Sequence, residues 1–404
     1  MKKPKIGVLS LGCPRTLVDS EAILSRLHLK GYNITEIADS DIALVNTCAF
    51  IKEAKEESIE AILDLINLKK EGKIRKILVY GCLVQRYKEK LKKYLPEVDA
   101  FVGCISLNHN SQRFPLTPSH YAYLKICEGC INNCSYCIIP KIKTRFVSLD
   151  IKNILKKVEE LDGRHLSELN IIGQDITAYG IDLYNKPTLV PLLKEILKKT
   201  KNIHWMRLLY LNPLRINSEL ISLIKDNPQI VRYIDIPIQH INERILKLMN
   251  RKITPKEIFR TIYKIREKLK DVALRTSIIV GFPTEKEKEF QELINFIKEI
   301  KFERLGAFIY SREEGTLAYK FKGQIPYKTK LMRFNTLMFV QREIAREVNN
   351  RFLNTIQEVI IDEELKDEQE GKFLYLGRTQ YDAPEVDGLV YVYSSIKLNP
   401  GQFI

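Results

Sequence analysis

Eight cysteines, all within the first 137 residues of a 404-residue chain, are the side chains best suited to chemistry here. The densest set is Cys130-Ile-Asn-Asn-Cys134-Ser-Tyr-Cys137, a C-x3-C-x2-C run. Three thiolates on one short loop can hold three irons of a four-iron cluster and leave the fourth open to a ligand. An open metal position is what separates a reactive centre from a structural one. Zinc competes, with Cys127-x2-Cys130 and Cys134-x2-Cys137 as ligand pairs. Only three residues separate those pairs, where paired-cysteine zinc sites usually have about 15–20. The spacing therefore favours a cluster on Cys130, Cys134 and Cys137.

A second set is dispersed. Leu9-Ser10-Leu11-Gly12-Cys13, Val45-Asn46-Thr47-Cys48 and Val79-Tyr80-Gly81-Cys82 each place a cysteine at the end of an apolar run. The carboxyl ends of parallel strands converge on one crevice. Cys13, Cys48 and Cys82 are thus expected to meet as a second triad rather than to stand as unrelated buried thiols. Cys104 follows another such run. As a fourth ligand it would close the cluster, and it is expected to be a nearby non-ligand. Cys127 is expected to be a packed strand-end residue. In a reducing compartment, cysteines grouped in this way argue for metal or catalysis over disulfides.

These cysteines need a scaffold that brings strand ends together. Residues 5–104 read as a βα series, with strands Ile6–Leu11, Ile42–Val45, Ile74–Tyr80 and Ala100–Val102. Helices Asp19–Leu29, Lys52–Leu68 and Val84–Leu95 alternate with them. That order predicts an open parallel sheet covered by helices. A polar, proline-containing stretch follows (Asn108, His109, Asn110, Ser111, Pro115, Pro118), a linker by composition. A second series has strands Tyr123–Cys127, Leu169–Ile172, His204–Leu208, Tyr233–Ile236, Leu274–Val280 and Arg304–Ile309. Helices Ile154–Leu161, Val190–Lys198, Ser218–Lys225, Pro255–Lys268 and Glu285–Ile300 separate them. Six βα units predict a partial (β/α)6 barrel, since a full eightfold barrel takes about 250 residues. Tyr327–Phe352 reads as a long charged helix. The runs Glu358–Ile361, Phe373–Leu376 and Leu389–Tyr393 read as a small C-terminal antiparallel β-barrel. The fold class is α/β, in domains 1–106, 122–353 and 354–404 with a linker at 107–121.

The hydrophobic fraction of 45% allows sizeable cores. No run approaches the ~20 apolar residues of a membrane span. Met1-Lys2-Lys3-Pro4 leads straight into a strand without an apolar signal region, so a cytoplasmic protein is expected. The net charge of +15 fits either a nucleic-acid or ribosomal partner or solvated lysine-rich helices. It is uneven: residues 356–404 carry four basic and ten acidic side chains, net −6, leaving +21 on residues 1–355.

With both triads in view, the chain resembles the methylthiotransferases of the radical S-adenosylmethionine (SAM) superfamily. Cys130-x3-Cys134-x2-Cys137, with Tyr136 before the last cysteine, is similar to that superfamily's signature. Cys13, Cys48 and Cys82 are similar to the auxiliary-cluster ligands, and the tail is similar to a TRAM barrel. Leu11-Gly12-Cys13-Pro14-Arg15-Thr16-Leu17-Val18-Asp19-Ser20-Glu21, Cys82-Leu83-Val84-Gln85-Arg86-Tyr87, Leu208–Pro213, Tyr310–Thr316 and Ala383–Gly388 resemble the RimO branch. Pro14 stands where the tRNA-modifying MiaB branch usually has Gln or Lys. Three departures are Lys143-Thr144 in place of Arg-Gly, Asn212 in place of a common His, and a tail ending at Pro400–Ile404, which predicts an open barrel edge.

The resemblance implies two 4Fe–4S clusters and SAM, and transfer of a methylthio group to the β-carbon of an aspartate. The target would lie in ribosomal protein S-twelve (uS12), free or in the small ribosomal subunit. SAM bound at the Cys130/Cys134/Cys137 cluster would yield the radical, and the auxiliary cluster the sulfur. An electron donor such as flavodoxin or ferredoxin, no membrane partner and a monomeric state are expected. Tyr136, Gln174, Arg207, Gln239 and Arg275 are candidate cofactor contacts, with Asp175 and His240 beside them; each could equally be a structural hydrogen-bonder. Gly281-Phe282-Pro283-Thr284 reads as a turn. The acidic tail favours a basic protein target over RNA, which needs cations for its phosphates. Two alternatives remain: a MiaB-like tRNA adenosine methylthiotransferase, and a non-enzymatic metal-bearing RNA-binding protein.

Overall fold

The structure, a computed structural model, describes residues 3–105, 114–365 and 373–404. Asn108, His109, Asn110 and Ser111 of the expected linker lie outside the described residues, as do Lys366, Asp367, Glu368, Glu370 and Lys372 of the tail.

The N-terminal unit is a five-stranded parallel sheet. Its spatial order is Asn33–Thr35, Lys5–Ser10, Ile42–Thr47, Lys76–Gly81, Ala100–Val102. The edge strand Asn33–Thr35 has only three residues, too few for an alternating pattern to stand out from sequence. The first helix runs Pro14–Leu29 and begins before the apolar periodicity does. Pro14 explains the early start, because proline at the first helical position loses no hydrogen bond and presets φ.

The central unit is a six-stranded parallel sheet in the order Arg304–Ile309, Ala273–Val280, Ile230–Asp235, Trp205–Leu208, Glu168–Ile172, Tyr121–Lys125. This is the expected partial barrel. Its outer face carries the main core. Helix Glu287–Ile300 buries Phe290, Leu293, Ile294, Ile297 and Ile300 at helical spacing, each adding about 1.5–3 kcal/mol of apolar burial. Thr254 and Glu257 form a capping box that starts Pro255–Lys268. The first barrel strand ends at Lys125, two residues earlier than the apolar run suggests. Cys127–Glu128 instead pairs with Val147–Ser148 in an antiparallel ribbon beneath the cysteine loop.

The tail forms three antiparallel strands, Val359–Leu365, Phe373–Thr379 and Val390–Ser394, rather than a closed barrel. The outer edge of the first strand is covered by the last residues: Val359 and Ile404 exchange N–H···O bonds of 3.0 Å, and Ile361 N–H donates to Gln402 O at 2.9 Å. The expected open edge is therefore at Val390–Ser394, where Tyr391 and Tyr393 are exposed.

Charge docks this sheet under the amino-terminal ends of the barrel strands. Glu168, fully buried, accepts from Arg207 at 2.7 Å and Arg378 at 2.6 Å. Asp362 binds Arg378 and His120, Asp382 binds Arg304, and Glu358 accepts from Trp205 Nε1. Tyr121 and Tyr233 donate to Glu385 and Asp387. Five of the ten acidic residues of the tail are thus turned toward the barrel. Among the described ones Glu358, Glu363, Glu364 and Glu385 are also exposed to solvent. Part of the tail's negative charge, led by Asp362, Asp382 and Asp387, is an internal adhesive.

Candidate functional site

Cys13, Cys48, Cys82 and Cys104 follow four neighbouring strands of the N-terminal sheet, so all four stand on its carboxyl edge in that spatial order. Gly81 makes the third turn possible. Its φ is +104°, and a Cβ there would lie 2.5 Å from Asn46 Oδ1 and 2.8 Å from Thr47 O. A buried polar lattice fixes the loops. Asn46 Nδ2 donates to Thr16 O and Ser20 Oγ, both at 2.8 Å, and Tyr80 OH donates to Ser20 Oγ at 2.9 Å. Ser58 Oγ accepts from Cys48 N–H at 3.0 Å.

Burial alone would push the Cys13 thiol up, but the adjacent Arg15 guanidinium and backbone N–H groups hold it below its ordinary value. Burial raises Cys48. Cys104 Sγ lies 3.9 Å from Cys82 Sγ. That contact, together with burial, pushes Cys82 up, and it draws Cys104 down. The bystander expected from sequence is therefore an immediate neighbour of the third cysteine.

The Cys130–Cys137 loop sits at the carboxyl end of the barrel strands. Ser135 ties it down: its N–H donates to Met249 O at 2.9 Å and its Oγ to Leu248 O at 2.7 Å. Two N–H groups of Asn132 approach Cys130 Sγ at 3.4 Å, and Arg251 Nη1 approaches Cys134 Sγ at 3.8 Å. Donors aimed at sulfur stabilise thiolate and tune a cluster. Burial raises Cys130 and pushes Cys137 up to about 12, so without a metal these sulfurs stay protonated. Among the described residues no three of His, Cys, Asp and Glu converge closely enough for a single metal ion. A four-iron cluster does not require that, because each thiolate takes its own iron. Half-buried thiols, in the loop with N–H groups trained on them, fit clusters better than zinc.

Cys127 is buried, its Sγ 3.7 Å from Asp175 O. Tyr136 packs with Met249, Phe282 and Tyr310 behind the loop. Gln174 donates to Glu128 at 3.3 Å and leaves its buried Oε1 without a partner. Gln239 takes φ +73° beyond the Ile230–Asp235 strand, bridging to Ile278. Asp175 gathers Asn132, Asn212, Thr177 and Arg215. Three candidates lie apart from the cysteines. Arg207 is at the barrel's amino end, bound to Glu168 and Gln380 O. Arg275 spans Asp235 (3.1 Å) and Asp387 (3.4 Å) lower in the barrel. His240 is fully buried and held neutral by burial, its Nδ1 accepting from Asn242 N–H. Lys143, one of the departures, pairs with Glu128 at 2.8 Å, beside Lys125 and Asp19.

Sequence reasoning missed Asn132 and Arg251 as sulfur partners. Asn132 was findable, since it lies within the cysteine run. Arg251 was not, since more than a hundred residues separate it from Cys134.

Family models match three parts of the chain: the radical SAM superfamily at residues 124–297, the uncharacterized protein family UPF0004 at 5–103, and the TRAM domain at 355–404. The chain is 43% identical over 427 residues to a "ribosomal protein uS12 methylthiotransferase RimO" of Clostridioides difficile, covering 99% of this chain and 95% of that one. It is 45% identical to the protein of that name in Caldanaerobacter subterraneus, covering 99% and 96%. Among solved structures, the radical SAM methyltransferase TsrM of Kitasatospora setae aligns with TM-score 0.56 at 11% identity, over 90% of this chain and 79% of that chain. The radical SAM enzyme OxsB aligns with TM-score 0.51 at 12% identity, over 84% and 56%. These two likenesses concern the fold.

Proposed function

This chain belongs to the RimO family of ribosomal protein uS12 methylthiotransferases, and on that premise we propose that it adds a methylthio group to the β-carbon of an aspartate of uS12. It is a transferase of the radical SAM type, using SAM and 4Fe–4S clusters. When bound, these groups supply a carbon radical able to take hydrogen from an unactivated C–H bond, and the sulfur that replaces it. Cys130, Cys134 and Cys137 hold the SAM-binding cluster, and Cys13, Cys48 and Cys82 the auxiliary one. Asn132 and Arg251 set the electronic character of the first through N–H contacts to sulfur. Gln174, with a buried unpartnered Oε1 beside the loop, offers an acceptor to SAM. Arg207 and Arg275, bound to Glu168 and to Asp235 and Asp387, are assigned instead to holding the tail on the barrel.

The observation that carries this reading is the placement of four cysteines on one sheet edge, next to a barrel that presents three more on its own carboxyl end. One cluster suffices to make a radical; the second, in a chain of this family, is the source of the inserted sulfur. Residues 1–106, 122–353 and 354–404 serve as auxiliary-cluster, radical and target-binding units, and a small acidic flavoprotein or ferredoxin supplies electrons to a monomer. No helix among the described residues is long and apolar enough to cross a membrane. Anaerobic incubation of the reconstituted protein with SAM, reductant and either small subunits or tRNA tests the target. Mass spectrometry should find the methylthio group on uS12; finding it on tRNA adenosine alone would sink the assignment.

A further inference from the structure

Arg15 is the residue through which the two cysteine groups meet. It follows Cys13 on the N-terminal unit, yet its Nη1 donates to Gly173 O at 3.1 Å, just past the barrel strand Glu168–Ile172. Its guanidinium lies 4.6 Å over the ring of Tyr210. Gly173 in turn lies against Cys127 at the base of the other cysteine loop, where an added Cβ would come within 2.5 Å of its sulfur. Tyr210 is held with φ +63°, a left-handed backbone rare for an aromatic residue, by its N–H donating to Asp235 Oδ2 at 2.9 Å. Strain of this kind persists where a side chain must be held at a fixed place. Here that place is the platform under the guanidinium.

The charges nearby single out Arg15. Three cations are recorded beside these cysteines: Arg15, Lys143 and Arg251. Lys143 is neutralised by Glu128 at 2.8 Å. Arg251 is turned to Pro237 O at 2.6 Å and to Cys134. Among the described residues, Arg15 is held by Gly173 O and by the Cys13 sulfur, and no carboxylate is hydrogen-bonded to it. The residue as a whole is half-buried.

We propose that Arg15 is the positioning residue that receives the carboxylate of the target aspartate, between the two cluster sites. This rests on the function proposed above. A guanidinium binds a carboxylate with two parallel hydrogen bonds, which fixes its plane as well as its distance. The aspartate β-carbon is bonded directly to that carboxyl carbon. A clamp on the carboxylate therefore fixes where the reacting carbon stands between the two sites, an ordering that raises rates. It also offsets the cost of bringing an anion between groups of thiolates.

The test compares reconstituted wild-type, Arg15→Gln and Arg15→Lys proteins, full length. The probes are two synthetic peptides of the uS12 target loop, one with the aspartate and one with asparagine in its place. Binding and the split of KM against kcat are read alongside iron content. Wild type should bind the aspartate peptide roughly 10- to 100-fold better than the asparagine one, the range of one charge-assisted pair. In R15Q that preference should vanish through loss of the aspartate peptide's affinity, and R15K should retain part of it. An undiminished preference in R15Q, or equal loss for both peptides, would overturn the proposal. So would a change confined to auxiliary iron, which would make Arg15 a partner of Cys13 only. If wild type modifies neither uS12 nor its peptide, the reading of function fails instead.

Discussion

Cysteines at the same position after successive strands do what cysteines adjacent in sequence cannot: they draw ligands from distant segments to one edge. Replacing Cys13, Cys48 and Cys82 by Ala should remove about half of roughly eight irons per chain, two four-iron clusters being present, and leave SAM cleavage intact. Iron analysis and 5′-deoxyadenosine formation check it. Cys104→Ala should leave the iron content near that of wild type, despite the 3.9 Å contact with Cys82. Two buried groups give opposing pH dependences. Burial lowers His240 to about 3, against about 6.5 in an unfolded chain. Below pH 6.5 the unfolded chain takes up a proton that the folded one refuses, so His240 makes stability fall with acid. Burial raises Glu285 to about 7, so the folded chain keeps a proton that the unfolded one releases above about 4.3, and its contribution fades as pH rises toward 7. Wild-type denaturation midpoints should therefore change little between pH 5 and 6.5. Glu285→Gln should lose stability with acid by up to about 1.4 kcal/mol per pH unit, and His240→Gln should gain it. Slopes of the same sign in the two variants would contradict both assignments. The six ligand candidates were legible in the sequence because each sits in a local pattern. Asn132 was within reach too, since it lies inside the cysteine run; Arg251 was not, because 117 residues separate it from Cys134, and Arg15 was not, because its partner Gly173 lies on the other α/β unit.

At the scale of elements, strand ends and helix starts carry the site, and the tail sheet closes the opposite end of the barrel. Glu168 is the keystone there, with no exposure and two arginines from different units. Removing one partner of a buried pair costs about 3–5 kcal/mol. Glu168→Ala should lower the unfolding free energy by that amount and expose the junction near residue 354 to protease, while the cluster spectra stay unchanged. Unaltered protease resistance would mean that apolar contacts alone hold the tail. The order of strands and helices was legible from alternating periodicities, including the count of six barrel strands. The edge strand Asn33–Thr35 was too short to read. The early end of Tyr121–Lys125 was hidden because Ile126 and Cys127 continue the apolar run while leaving the sheet.

For the whole molecule, net charge is a poor guide to which surface meets a partner. The tail's −6 invited a reading of outward acidity, yet Glu358, Asp362, Asp382, Glu385 and Asp387 bind the barrel. The preference for a protein target therefore rests on kinship with the RimO family rather than on tail charge. One measurement tests the account most directly: the mass of uS12 after small subunits are incubated with the reconstituted protein, SAM and reductant under anaerobic conditions. The account predicts a methylthio group in place of one hydrogen on a single aspartate, lost when Cys13, Cys48 and Cys82 are replaced although SAM is still cleaved. An unmodified uS12 alongside methylthiolated tRNA, or modification that survives loss of the auxiliary cysteines, would contradict it.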